Sequence, residues 1–176
     1  MDILETRRLV LRPWKDSDAE PLLRYASCKE VAIPAGFAPH TDIEKSREVI
    51  RDMLSNDHTW AMELRQSGEA IGCICYYPSE ESNIGLDPWE AELGFWVAKP
   101  YWGLGLCTEA LRSVVDYCFN KKGFLSLYGD FFPGNIASER VMLKCGFIPT
   151  GRENPASHLY QGEGKTIRIM RLDYAL

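Results

Sequence analysis

The sequence predicts an α+β fold, a mixed and largely antiparallel twisted sheet of about seven strands with helices on both faces, in one domain over residues 1–176. Three patterns carry that expectation. In the middle of the chain, "TWAMELRQ" and "AIGCICYYP" flank a turn at "SGE" and read as a hairpin, with "WEAELGFWVAK" as the next strand. The following stretch runs strand, glycine turn, helix, strand ("ELGFWVAK", "YWGLGL", "TEALRSVVDYCF", "FLSLYGDFF"), which implies one parallel crossover in an otherwise antiparallel sheet. Helical spacing of apolar residues appears both before and after these strands.

Each element has a local reason. In "ETRRLVLRPW", Leu9 and Leu11 alternate with charged neighbours, as in a half-buried strand. "DSDAEPLLRYAS" opens with residues favoured at helix N-termini. "TDIE", from Thr41 to Glu44, reads as a capping box ahead of "KSREVIRDML", with Ile43, Ile50, Met53 and Leu54 on one stripe. Between these helices, the prolines, the glycine and Phe37 of "KEVAIPAGFAPH" suggest an ordered but irregular loop. Leu106, Ala110, Leu111, Val114, Val115 and Cys118 recur at helical spacing, and Gly123 supplies the stop. "NIASERVMLKCGF" is a second glycine-ended helix. "GRENPASHLYQGEG" reads as irregular, and "KTIRIMRLDYAL" as the closing strand.

Composition removes several function classes. A net charge of −5, with no basic run beyond "TRR" and "NKK", argues against nucleic acid as a partner. The six cysteines show no C-x-x-C and no histidine at zinc-ligand spacing, so no metal is expected. Cys73 and Cys75 read as small apolar residues on one strand face. With no secretory leader and no apolar run of about 18 residues, the expectation is a cytoplasmic protein that neither touches a membrane nor carries disulfides. It would be a monomer or a homodimer.

The turn in "YWGLGLCTEA" is the first functional candidate. A helix starting near Gly105 offers free backbone N–H groups and a positive dipole end, and glycine lets a ligand approach that backbone closely. The same Gly103 and Gly105 would also serve a plain strand-to-helix turn. A dinucleotide fingerprint does not fit, because the third glycine position is Thr108.

With its neighbours, the turn becomes specific. "LGFWVAKPYWGLGLCTEA" followed by "NIASERVMLKCGF" resembles the GNAT acyl-CoA-dependent N-acetyltransferases, and in particular their Rim-type branch of ribosomal-protein-alanine N-acetyltransferases. "ETRRLVLRPWKDSDAEPL" extends the likeness to nearly the whole chain. The resemblance implies strands splayed at an acyl-CoA site and acetyl-CoA as co-substrate. It places cofactor contacts on Phe95, Trp96, Val97, Trp102, Gly103, Leu104, Gly105, Leu106, Cys107, Thr108, Asn135 and Ser138. The family's pyrophosphate motif, Q/R-x-x-G-x-G/A, falls on Trp102 through Gly105 to Cys107. Trp102 stands where Gln or Arg is usual and Cys107 where Gly or Ala is usual, so the backbone contacts carry over and the first side-chain contact does not. Asn135 is also an ordinary helix N-cap.

The reaction so implied moves an acetyl group from a thioester to an amine, either a protein N-terminus or a small molecule. An amine attacks only when neutral. Deprotonating an α-amine at pH 7 costs roughly 1 kcal/mol, and a lysine nearer about 5 kcal/mol. In "WEAELGFWV", Ala91, Leu93, Phe95 and Val97 share an apolar face, which leaves Glu90, Glu92, Gly94 and Trp96 on the other. Many family members carry a base Glu on this strand, and Glu92 is the candidate over Glu90 and Glu109; a plain ion-paired strand carboxylate is the competing reading. The family's acid, a Tyr in the helix after Asn135, falls on Met142, which donates no proton. Ser138, one turn earlier on the same helix face, is the replacement. The resemblance puts the acceptor near residues 35–40 and 155–160, with Phe37, Tyr76, Glu92 and His158 as candidate contacts. A non-catalytic acyl-CoA-binding module and an acetyltransferase of a polyamine or antibiotic amine are the alternatives.

Overall fold

The computed structural model describes residues 1–175; Leu176, at the end of the closing stretch, lies outside the described residues. Eight strands form a single sheet: β1 (Leu4–Glu5), β2 (Leu9–Arg12), β3 (Thr59–Leu64), β4 (Glu69–Pro78), β5 (Glu90–Val97), β6 (Ser126–Phe131), β7 (Ile148–Pro155) and β8 (Thr166–Asp173). Their order is β1-β2-β3-β4-β5-β6-β8-β7. Among the described residues only the β5–β6 pair is parallel, and α4 (Leu106–Tyr117) connects it. The α+β expectation therefore holds, with eight strands in place of about seven. Part of the surplus is β7, which takes up "GRENP" from the stretch read as irregular; a register shift between Pro149 and Glu153 hides its alternation.

Helices cover both faces. On one, Leu106, Ala110, Leu111 and Val114 of α4 pack with Ile71, Ile74, Ala91 and Leu93 of the central strands, joined by Met142 of α5 (Ile136–Lys144). On the other, Ala19, Leu22 and Ala26 of α1 (Ala19–Ala26) pack with Ile50 against Ala61 and Cys73. The short α2 (Lys29–Ala32) lies in a segment expected to be irregular. The following α3 (Ile43–Val49) is capped by Asp42, whose carboxylate accepts from the Lys45 amide at 2.8 Å. Thr41 only donates to that carboxylate, so the cap sits one residue later than the capping box placed it. Met53 leaves the predicted stripe and is exposed.

One departure from regularity positions the site. The β5–β6 pairing runs from Glu90↔Ser126 to Leu93↔Gly129 and stops, although β5 continues to Val97 and β6 to Phe131. On its other side β5 stays paired with β4 from Pro78↔Ala91 to Gly72↔Val97. The C-terminal half of β5 is thus held rigidly from one side and presents an open edge on the other.

Candidate active site

The open edge can be worked out from the antiparallel ladder. The Ala98 amide donates to Ile71 O at 2.8 Å. The pair Gly72↔Val97 is then a non-hydrogen-bonded one, so the peptide groups of Val97 and, two residues back, of Phe95 face away from β4 into the gap. The Trp102 indole Nε1 donates to Val97 O at 2.7 Å, which leaves the Phe95 groups and the Val97 amide for a ligand.

The gap opens into a cleft of about 1110 Å³. Phe95, Trp96, Val97, Trp102, Gly103, Gly105, Leu106, Cys107, Thr108, Asn135 and Ser138 all line it. Leu104 lies outside the lining; its side chain is exposed and its carbonyl accepts from Arg8 at 2.9 Å. Gly105 caps α4 in the left-handed region (φ 76°), a conformation that glycine adopts without strain. The first amides of α4 lack intrahelical partners, as in any helix. Asn135 caps α5, its Oδ1 accepting from the Ser138 amide at 3.2 Å. Two helix N-termini therefore converge on one cleft, and Arg140 and Lys144, one turn apart on α5, add positive charge to its wall. Free donors, positive charge and an unpaired strand edge fit an anionic ligand with an extended amide-bearing arm.

Glu92 lies on the face of β5 away from α4 and is buried, with Oε2 accepting from Ser82 Oγ at 2.7 Å. The other two carboxylates have structural partners. Glu90 accepts from Tyr128 OH at 2.9 Å and from the Asp87 amide at 3.0 Å. Glu109 accepts from Thr6 Oγ1, the Arg8 amide and Arg8 Nε, each at 2.7 Å, fastening α4 to the β1–β2 turn. Asp130 of β6 is the residue that sequence reasoning missed. Burial and the neighbouring Glu92 push its pKa up to about 8. The available signal was the alternation of "LYGDFF", which sets a carboxyl on the face opposite Leu127 and Phe131.

The remaining candidates separate. Phe37 packs on Trp96 with ring centroids 5.8 Å apart, on the Glu92 face. Its loop meets the late loop, for the Tyr160 amide donates to Gly36 O at 2.8 Å and Leu159 covers Gly36. His158 is exposed on that late loop and does not line the cleft. Tyr76 is in the core beside Trp60 and Phe124, on the α4 face and so across the sheet from Glu92. Met142 is buried, its sulfur filling the space that Gly129 leaves open. Among the described residues no group of three or more His, Cys, Asp or Glu could hold a metal ion, and no helix is long and apolar enough to cross a membrane.

Comparison with known proteins agrees with this geometry. Residues 8–148 match the family model described as an acetyltransferase (GNAT) domain. The chain is 30% identical to an uncharacterized N-acetyltransferase, YoaA, of Bacillus subtilis (strain 168), over 85% of this chain and 84% of that one. Among solved structures, the ribosomal-protein-S5-alanine acetyltransferase of Vibrio fischeri superposes with a TM-score of 0.74 at 19% identity, covering 98% of this chain and 97% of the other. AAC(6')-Ib in complex with ribostamycin and coenzyme A superposes with a TM-score of 0.73 at 19% identity, covering 94% and 93%.

Proposed function

Since the chain belongs to the GNAT acetyltransferase family and is an acetyl-CoA-dependent N-acetyltransferase, we propose that residues 1–176 act as one domain on an α-amine of a protein, peptide or amino acid, with Glu92 as the base and Ser138 as the acid. The observation that carries this reading is the cleft itself: helix N-termini and an unpaired strand edge lie at the α4 and α5 ends, and a buried carboxyl lies on the opposite face of the same strand.

In this reading, the amides at the start of α4 hold the pyrophosphate, and Arg140 and Lys144 add charge complementarity. The Phe95 peptide groups pair with the pantetheine arm, which sets the thioester in the gap. The acceptor enters from the Phe37 and Trp96 side. Its nitrogen gives up a proton toward Glu92 and attacks the carbonyl carbon, and the departing sulfur takes a proton from Ser138, which is made good by the second proton lost from the nitrogen. An α-amine suits a single buried carboxyl system because its deprotonation at pH 7 costs roughly 1 kcal/mol, against about 5 kcal/mol for a lysine. The ribosomal-protein relative supports a protein N-terminus as acceptor, and the ribostamycin complex keeps an antibiotic amine in the comparison.

The test is release of CoA thiol with a panel of alanine- and serine-initiated peptides, free amino acids, a polyamine and an aminoglycoside. Fastest turnover of an α-amine supports the proposal, and fastest turnover of the polyamine or aminoglycoside overturns the substrate class. Glu92→Gln should lower kcat/KM about 10²–10⁴-fold at unchanged acetyl-CoA affinity. Binding of acetyl-CoA without thiol release from any amine would instead favour a non-catalytic module.

A further inference from the structure

The Glu92 carboxyl does not stand alone. Glu92 is opposite Tyr128 in the parallel register, and Asp130 is two residues further along β6 on the same face, one step past the last pair, Leu93↔Gly129. Asp130 therefore sits at the mouth of the splay. Ser82 Oγ occupies Oε2 of Glu92, and Asp130 lies within hydrogen-bonding reach of the same carboxylate.

No cation balances the two carboxyls among the described residues. The Arg152 guanidinium donates to Ile84 O, Arg168 pairs with Glu153, and Arg171 pairs with Asp173 and lies over the Tyr128 ring. From β4, Tyr77 and Cys75 face Glu92; the neighbouring Cys75 raises the Tyr77 phenol and burial raises the Cys75 thiol, so neither supplies a charge to the pair. Glu81 is engaged by His58 Nε2 at 3.1 Å. On β8, the residue opposite Asp130 is Ile169. A half-buried carboxyl beside a buried one, with no counter-ion, is held toward its protonated form, the direction in which burial and Glu92 push Asp130.

We propose that Asp130 is a positioning residue for amine deprotonation, pairing with Glu92 so that the two carboxyls together, rather than Glu92 alone, take the proton from the acceptor amine. This rests on the reading of Glu92 as the base. A lone carboxylate with a pKa of about 4.3 is a base weaker than an α-amine of about 7.7–8.0 by more than three powers of ten. The pair, with its upper titration at about 8, matches that amine.

The protons balance. The free pair carries one proton and one negative charge, and an arriving ammonium group displaces that proton to solvent. The doubly ionised pair then takes one proton from the ammonium nitrogen and returns to its starting state. The nitrogen, now neutral, forms the C–N bond. As the C–S bond breaks, the second proton lost from nitrogen is matched by one delivered to sulfur. One proton per turnover reaches solvent.

Two measurements test the proposal: a carboxyl titration of the substrate-free protein by ¹³C NMR, and the pH profile of kcat/KM with an alanine-initiated peptide. We expect one carboxyl titrating near pH 8, and a kcat/KM that rises through the same pH. Asp130→Asn should abolish that carboxyl titration and lower kcat/KM at pH 7 by about tenfold or more, leaving in the profile only the ionisation of the peptide amine at about 7.7–8.0, with the acetyl-CoA Kd unchanged, and Asp130→Glu should restore part of the rate. Glu92→Gln should also remove the titration near pH 8. If the Asp130→Asn protein keeps the wild-type profile and titration while Glu92→Gln is inactive, the pairing is wrong and the base assignment stands. If Glu92→Gln is fully active, the base assignment fails as well. Loss of the titration in both variants without any change in rate would leave a structural carboxyl pair and overturn the catalytic role.

Discussion

Gly72 is where sheet packing and cofactor binding meet. A Cβ placed on it would lie 2.4 Å from Trp96 O, 3.1 Å from Val97 Cα and 3.2 Å from Met62 Sδ. The nearest atom is backbone and cannot rotate away. Bringing that contact to even 3.0 Å means moving β5 by at least 0.6 Å. Overpacking of this kind costs about 1–3 kcal/mol, which in a chain of this size lowers Tm by about 2–12 °C. The displaced segment is the one whose other edge lines the cleft, so Gly72→Ala should weaken acetyl-CoA binding together with stability. Gly94→Ala is the control, because its Cβ would meet the Cys75 sulfur at 3.0 Å and the Tyr77 ring at 3.3 Å, both of them side chains able to shift. The assay is thermal unfolding with and without acetyl-CoA, combined with a titration of its Kd. A Gly72→Ala protein with wild-type Tm and Kd would refute the idea that β4 contact sets the position of the open β5 edge.

Other outcomes follow from the same structure. Asp18 accepts from both terminal nitrogens of buried Arg12, at 2.7 and 2.8 Å, and Glu63 takes Arg12 Nε; Asp18→Asn should cost about 3–5 kcal/mol in urea unfolding, since it strands part of a buried charge. Ser138→Ala should lower kcat more than it alters the acetyl-CoA Kd, and Met142→Tyr in that background, which returns a phenol to the position of the family's acid, should recover part of the rate; a Ser138→Ala kcat within about twofold of wild type would assign the proton to water instead. Burial of His40 against Ser46, followed by the charge of Lys45, lowers its pKa below 6.5 in the folded state. The unfolded chain then binds more protons below pH 6.5, so this contribution to stability is complete above that pH and is lost as pH falls toward the folded pKa. Urea midpoints should show a smaller loss on acidification in His40→Gln than in wild type.

Much of the molecule was legible because its signals are local. Alternation at a spacing of two residues exposes β4 and β5, apolar residues three and four apart expose α4, and glycine with a positive φ marks both the Gly105 start and the Gly123 stop. The Asn135 cap is equally local, since its bond spans three residues. Where a local pattern breaks, the reading broke with it. The register shift in β7 disguised a strand, and the carboxylate of Asp42 took the cap from Thr41.

By itself, the sequence determined the order of elements, the glycine turn, the sign of the helix end at the cleft, and the face of β5 on which Glu92 lies. Tertiary structure alone decided which carboxyl stays available. Glu109 is consumed by Thr6 and Arg8, about a hundred residues away in sequence, and Glu90 by Tyr128 across the parallel pair. It also buried Tyr76 beneath α4, closed the Trp102 indole onto Val97 O, and brought Asp130 to Glu92. The physical reason is that side-chain periodicity assigns a residue to a face. Its partner on that face depends on strand register and on where pairing ends, and both are set by contacts between segments far apart in the chain.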